Sequence, residues 1–261
     1  GMRFFLFSLL VAIFAFGCAS KGKYKQKDLV IDANFYFARG MKELNKKNYD
    51  NAIENFNTVV ESFSGSAVVD SALYFLAEAH YKNEDYITAA YEYERVYSDY
   101  PSSRFVAEAQ YKKALCYYQE SPKASLDQEN TRLALDEFNR FIDNFPQNPL
   151  IEEAQKRIDG LREKLAYKEY LAAETYRKMK SSESLEAALL YYNEIIGQYP
   201  RSVWVDDATF GIGQVHMRRK EYAEAAEVFR QLAESDQTDS NIRKKAAREL
   251  SNIKKNEKKS K

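Results

Sequence analysis

Residues 70–103, "DSALYFLAEAHYKNEDYITAAYEYERVYSDYPSS", hold two apolar-periodic segments, a short polar break between them and a Pro-Ser turn at the end. The stretch is one copy of a longer pattern. Ala77 has counterparts 37 residues away on each side, Gly40 and Ala114. Tyr86 and Ala89 repeat Tyr49 and Ala52 at the same interval, and Tyr176 and Ala188 are repeated by Gly213 and Ala225. Four residues beyond the fixed alanine stands an aromatic residue: Phe56, Tyr93, Phe138, Tyr192 or Phe229. The turns agree in phase: "DYPSS" (99–103), "NFPQN" (144–148) and "QYPRS" (199–203), with "SFSGS" (62–66) as a version without proline. Proline and small polar residues stop one helix and start the next.

Each unit therefore predicts a helix, a short turn, a second helix and a Pro turn. The small residue of the first helix and the alanine of the second allow close approach, and the aromatic fills the gap between neighbouring units. This pattern resembles the tetratricopeptide repeat, lengthened by three residues from its usual ~34. Five repeats are expected, at about 33–66, 70–103, 107–148, 166–202 and 206–236. The expected fold is all-α, a right-handed α-α superhelix of about five repeats and ten helices. Repeat three carries eight extra residues between its helices, within "ESPKASLDQENT" (120–131). Ile151, Ala154, Ile158, Leu161 and Leu165 keep helical spacing, which predicts one long helix joining three N-terminal repeats (32–148) to a C-terminal pair (149–239).

The start of the chain reads differently. Gly1, ahead of Met2, reads as a residue added in cloning. Arg3 then precedes thirteen uncharged residues, Phe4 to Phe16. A spanning helix needs about 20 apolar residues, so residues 1–17 fit a secretory signal instead. Gly17-Cys18 follows, flanked by Ala15 and Ala19, and resembles the bacterial lipobox, in which the thiol receives diacylglycerol and the cysteine becomes the mature N-terminus. Residues 18–31 would then be a lipidated tether. The other cysteine, Cys116, lies in a helical pattern; with Cys18 acylated it has no disulfide partner and reads as a small buried hydrophobe.

The net charge is zero but uneven. Residues 243–261 carry nine Lys/Arg and two Glu, whereas 18–242 carry 29 basic and 37 acidic groups. The basic tail (240–261) reads either as a solvated end or as a contact for anionic lipid headgroups or an acidic partner. Nucleic acid is not an expected partner, because the acidic body would repel a phosphate backbone. Catalysis is not expected either. His80 and His216 fall at one repeat position, held by Tyr117 in repeat three, and read as packing residues. No metal-binding, phosphate-cradling or nucleophile motif occurs, and neither cofactor nor metal is implied.

A solenoid offers a concave wall built from the first helix of each repeat. In repeats one to three its ladders are Phe37, Tyr74, Tyr111; Met41, Glu78, Leu115; and Leu44, Tyr81, Tyr118. These nine residues are the candidate peptide groove, suited to an extended peptide with aromatic or apolar side chains, although some could simply pack between repeats. The corresponding positions in repeats four and five are Tyr170, Ala173, Arg177, Lys180 and Asp207, Phe210, Gln214, Met217. Among these, Tyr170, Arg177, Lys180, Phe210 and Gln214, together with Tyr191, are the candidate partner-docking residues.

The signal, lipobox, repeats, connecting helix and basic tail together resemble the BamD (YfiO) family. "SLDQENTRLALDEFNRFIDNFPQN" (125–148) and "RIDGLREKLAYKEYLAAETYRK" (157–178) resemble that family's third repeat and connecting helix. The resemblance implies a lipoprotein carrying acyl chains such as palmitate at Cys18, on the periplasmic face of the outer membrane. It implies membership of the machinery that folds β-barrel proteins there. It further implies that the N-terminal repeats bind signal segments of unfolded outer membrane proteins. The C-terminal repeats would dock the barrel-forming, BamA-like subunit, with accessory lipoproteins as further partners. Tyr191 departs from the family, standing where members have an arginine that contacts the barrel-forming subunit. A second reading is another tetratricopeptide lipoprotein adaptor, serving a secretin as pilotin or a cell-wall enzyme. On either reading, Cys18→Ser is expected to move the chain from the membrane to the soluble periplasmic fraction, and retained lipid labelling of the variant would refute the tether.

Overall fold

The computed structural model describes residues 32–179 and 181–259, with side chains to Lys255. The signal, the tether, Cys18 and Lys180 lie outside the described residues. Each predicted repeat is a helix pair: α1 (Ala33–Asn45) with α2 (Tyr49–Ser62), α3 (Val69–Lys82) with α4 (Tyr86–Asp99), and α5 (Val106–Gln119) with α6 (Glu129–Asn144). Then follow α7 (Ile151–Met179) with α8 (Ser182–Gln198), and α9 (Val205–Arg218) with α10 (Tyr222–Glu234). Every helix packs on the next in chain order, and α1 meets α3, α7 meets α9 and α9 meets α11. No strand occurs among the described residues.

The recurring alanine and aromatic account for this stacking. Ala52, Ala89, Ala134, Ala188 and Ala225 are buried, as are all five aromatics four residues on. A Cβ built on Gly40 would stand 2.7 Å from Phe56 Cε1, and one on Gly213 would stand 2.6 Å from Phe229 Cε1. Phe56 and Phe229 thus lie against the glycine of their own repeat, whereas Tyr192, whose own repeat has Tyr176 at that position, lies against Gly211 of the next. Phe56 also stacks on Phe75 of the next repeat at 6.2 Å, so the ring closes contacts within a unit as well as between units.

The elbows within repeats one, two and five are built alike. Lys47, Glu84 and Lys220 have φ of 63°, 63° and 62°. In each case the next amide donates back five residues: Asn48 N to Glu43 O, Asp85 N to His80 O and Glu221 N to His216 O. This is the Schellman ending of a helix, made here without glycine. A side-chain latch spans the same five residues. Asn48 Nδ2 donates to Glu43 Oε2 at 3.0 Å, His80 Nδ1 meets Asp85 Oδ2 at 3.2 Å, and His216 Nδ1 meets Glu221 Oε2 at 2.7 Å. The two histidines therefore tie elbows together, a more specific role than packing.

Successive repeats are also clasped by acids. Ser103 Oγ donates to Asp70 Oδ2 at 2.7 Å, Ser202 Oγ to Glu163 Oε2 at 2.7 Å, and the Asp239 amide to Asp206 Oδ2 at 2.7 Å. Each carboxylate lies on the first helix of one repeat and accepts from the turn after the second helix.

The 29-residue α7 serves two repeats. Ala154, Ile158 and Leu161 close the core over α5 and α6, whereas Ala166 and Ala173 belong to the core shared with α8 and α9. The insertion in repeat three is fastened from inside. Gln128 is fully buried and its amide donates to the Lys123 and Leu126 carbonyls at 2.8 and 3.0 Å. Lys164 of α7 donates to Ser121 Oγ at 2.7 Å, and burial lowers its pKa.

An eleventh helix, α11 (Ser240–Lys259), follows the ten expected ones. Its Ile242, Ala246 and Ile253 are buried in one core with Phe229 and Leu232 of α10, so it covers the last repeat. A solenoid needs such a cover, because its terminal repeat otherwise exposes an apolar face. Gly213→Val is expected to lower stability by about 2 kcal/mol through overpacking against Phe229, read as a lower urea midpoint at unchanged slope; an unchanged midpoint would contradict this packing.

Candidate functional site: the wall of first helices

The candidate groove residues fall into two sets. Leu44, Tyr74, Glu78, Tyr111 and Leu115 are buried, and Phe37, Met41, Tyr81 and Tyr118 are half-buried. Tyr74 is covered by Phe105, from the turn entering the next repeat, which stacks on it at 4.2 Å and 10°. Tyr111 packs on Phe138 and Phe141, and its hydroxyl accepts from Arg157 Nε at 3.3 Å. Glu78 accepts from the Tyr93 hydroxyl and pairs with Lys112 Nζ at 2.9 Å. Burial first, and the Glu78 charge second, hold the Tyr93 phenol well above its usual pKa, so it stays a donor.

The half-buried set keeps accessible aromatic surface beside cations. Lys112 Nζ sits 5.3 Å from the Tyr81 ring centre, and the Arg157 guanidinium 4.9 Å from that of Tyr118. Gln119 Nε2 donates to the Tyr81 hydroxyl at 3.1 Å. Phe37 rests between Phe56 and Phe75 at 5.9 and 6.0 Å. Such a surface binds apolar and aromatic groups through the rings and offers N–H donors to backbone carbonyls or carboxylates. Lys112 and Arg157 escape a search for aromatic ladders; their signal is a cation 31 residues beyond Tyr81 and another 39 residues beyond Tyr118.

The C-terminal wall is organised around Trp204. Its ring stacks on Tyr167 at 4.4 Å and on Tyr170 at 4.9 Å. Burial, then the Glu174 charge, push the Tyr170 phenol up to about 12. Trp204 holds the place of Phe105, both four residues after the proline in "PSSRF" (101–105) and "PRSVW" (200–204). That shared phase was the signal for it. Arg177 is bidentate to Glu174, at 2.9 and 2.6 Å, and Glu174 also accepts from the Tyr192 hydroxyl. Tyr191 is half-buried and stacks on Tyr176 at 5.5 Å and 10°. Phe210 packs on Phe229 at 5.3 Å, and Gln214 is half-buried on the same helix. Asp207 has its pKa raised by desolvation, opposed by Lys245 of α11.

No cluster of metal-ligating side chains occurs among the described residues. Cys116 is buried, and burial pushes its thiol pKa far up, so it is not poised as a nucleophile. No helix among the described residues is long and apolar enough to cross a membrane.

This arrangement has known relatives. The family model YfiO, described as outer membrane lipoprotein, matches residues 31–209. The chain belongs to this family. A tetratricopeptide-repeat model matches 183–240. The outer membrane protein assembly factor BamD of Caulobacter vibrioides is 25% identical over 213 residues, 80% of this chain and 68% of that protein. BamD of Rickettsia prowazekii is 26% identical over 209 residues, covering 80% of this chain and 81% of the relative. Among solved structures, a tetratricopeptide repeat protein from Parabacteroides merdae superposes with a TM-score of 0.42 at 14% identity, over 85% of this chain and 88% of that one. The YfiO match contains the whole N-terminal wall, α7 and α8, whereas α11 lies almost entirely beyond both matched segments.

In this family member, the Arg177–Glu174–Tyr192 group is the polar centre of the C-terminal wall. Desolvation raises the Glu174 pKa, but the hydrogen bonds from Arg177 and Tyr192 outweigh it, and the net shift is downward. A depressed folded pKa contributes stability above the unfolded value and loses it as pH falls through the folded one. Glu174→Gln is therefore expected to lower stability by roughly 1–2 kcal/mol at neutral pH, with the difference shrinking below about pH 4. Denaturant titrations at both pH values check this, and a constant difference would contradict it.

Proposed function

We propose that the chain is a non-catalytic scaffold for assembling outer membrane β-barrel proteins, held at the periplasmic face of the outer membrane by acylated Cys18. The YfiO match over 31–209 carries this reading, and both relatives described above bear the name of outer membrane protein assembly factor. In this proposal the N-terminal wall receives the signal segment of an unfolded barrel protein. Phe37, Met41, Tyr81 and Tyr118 make the direct contacts, because their surface is open. Leu44, Tyr74, Glu78, Tyr111 and Leu115 hold those four in place from within the stack. Alternating aromatics of a barrel strand match an aromatic wall, since rings at every second residue of an extended segment point to one side.

The C-terminal wall, with Tyr170, Arg177, Lys180, Tyr191, Phe210 and Gln214, docks the barrel-forming subunit in this reading. Tyr191 replaces a charged contact with a flat aromatic one on Tyr176. Accessory lipoproteins would join the same assembly.

Photo-crosslinking tests the groove assignment. A benzoylphenylalanine at Tyr81 or Tyr118 is expected to crosslink to the terminal strand of an unfolded barrel protein. The same probe at outward Tyr91 of α4, 61% exposed, is not. Tyr81→Ala with Tyr118→Ala should weaken binding of a barrel signal peptide by roughly 5- to 30-fold, at ~1–2 kcal/mol for the pair, without loss of helicity. Unchanged affinity would reassign the wall to packing, and recovery of a secretin in place of the barrel-forming subunit would overturn the scaffold reading.

A further inference from the structure

The covering helix α11 presents two unlike faces. Ile242, Ala246 and Ile253 are buried against α10, with Leu250 beside them. At 3.6 residues per turn, Lys244, Arg248 and Lys255 project to the opposite side, along about 16 Å of helix. All three are exposed, and the one ion pair of α11 among the described residues is Arg243 with Asp236, at 3.5 Å. Among the described residues Ser240, Asn241, Ser251 and Asn252 share this face with them, and no acidic side chain does. We propose that this face docks on an anionic phospholipid surface.

Charge distribution supplies the first argument. Residues 32–242 carry 25 basic and 36 acidic side chains. An anionic bilayer repels that body and attracts α11, so the electrostatic torque turns the C-terminal end of the solenoid toward the lipid. The second argument separates lipid from protein. Protein interfaces are depleted of lysine and anchored by aromatic residues in desolvated pockets. This face carries two lysines and an arginine among small polar residues and no aromatic. A charged planar surface asks for no pocket, and suits it. The third argument concerns the mode of binding. The apolar face of α11 is already occupied by α10, so the helix adsorbs by charge without inserting. Adsorption of this kind adds orientation to a lipid anchor, since a tether fixes the distance from the membrane but not which face of the protein meets it. The proposal does not depend on what the groove binds.

The test uses the full chain carrying Cys18→Ser, so that no acyl chain masks the effect. Sedimentation is measured with vesicles of phosphatidylcholine alone and with roughly 30% phosphatidylglycerol. At roughly fivefold per cation, loss of the three charges is worth about 100-fold, so reversing Lys244, Arg248 and Lys255 to Glu is expected to lower the partition into anionic vesicles by at least that factor. Sedimentation with neutral vesicles should stay unchanged, and the difference should collapse at about 0.5 M salt. Replacing the same residues by Gln, with helicity checked by circular dichroism, gives a gentler variant that should lose most of the anionic preference. Equal partition of the parent and both variants would overturn the proposal. So would a parent indifferent to phosphatidylglycerol whose charge-reversed form loses co-purification with an acidic envelope protein, since the face would then be a protein interface.

Discussion

Everything in this solenoid depends on how closely two helices of one repeat approach. That distance is set where a ring on the second helix meets a residue with little or no side chain on the first. Phe56 lies on Gly40 and Phe229 on Gly213 at separations that leave no room for a Cβ. Because the rings are fully buried, each repeat loses contact area on two sides if its ring is displaced. The stack is therefore stiff across the repeats and tolerant only at its surfaces.

Polar groups then fix what packing alone leaves free. The elbow latches at Glu43–Asn48, His80–Asp85 and His216–Glu221 set the turn within a repeat. The acids Asp70, Glu163 and Asp206 set the turn between repeats by accepting from the incoming chain. Helix α7 carries this order from the N-terminal wall to the C-terminal one, because a single uninterrupted helix belongs to both cores. A partner held at one wall and another at the other would thus be joined by a rigid element.

The wall of first helices shows why a ladder of side chains is not yet a binding surface. Tyr74 and Tyr81 both stand on α3 in the candidate ladders, yet Phe105 covers the first and the second stays half open. Seven residues are nearly two full turns, so the two side chains point almost the same way. Their difference comes from the turn of the following repeat, which reaches one end of the helix and not the other. Helical period cannot report that. It also could not reveal α11, where Ile242, Ala246 and Ile253 are diluted among cations and read as a charged tail. The elbows escaped for a related reason: Lys47, Glu84 and Lys220 take the conformation that glycine would have signalled.

The sequence by itself determined the repeat, its phase and the long connecting helix, together with the residues around which each unit closes. These follow from local rules, since helix period, turn chemistry and the pairing of a small residue with an aromatic all act within about 40 residues. Its family resemblance, resting on the text of repeat three and α7, agrees with the match over 31–209. Only the tertiary structure decided which wall residues are covered and which remain open. It alone brought Trp204 against Tyr167 and Tyr170, and turned the basic end into a helix with one buried face. Burial is a property of neighbours distant in sequence, and no local period carries that information.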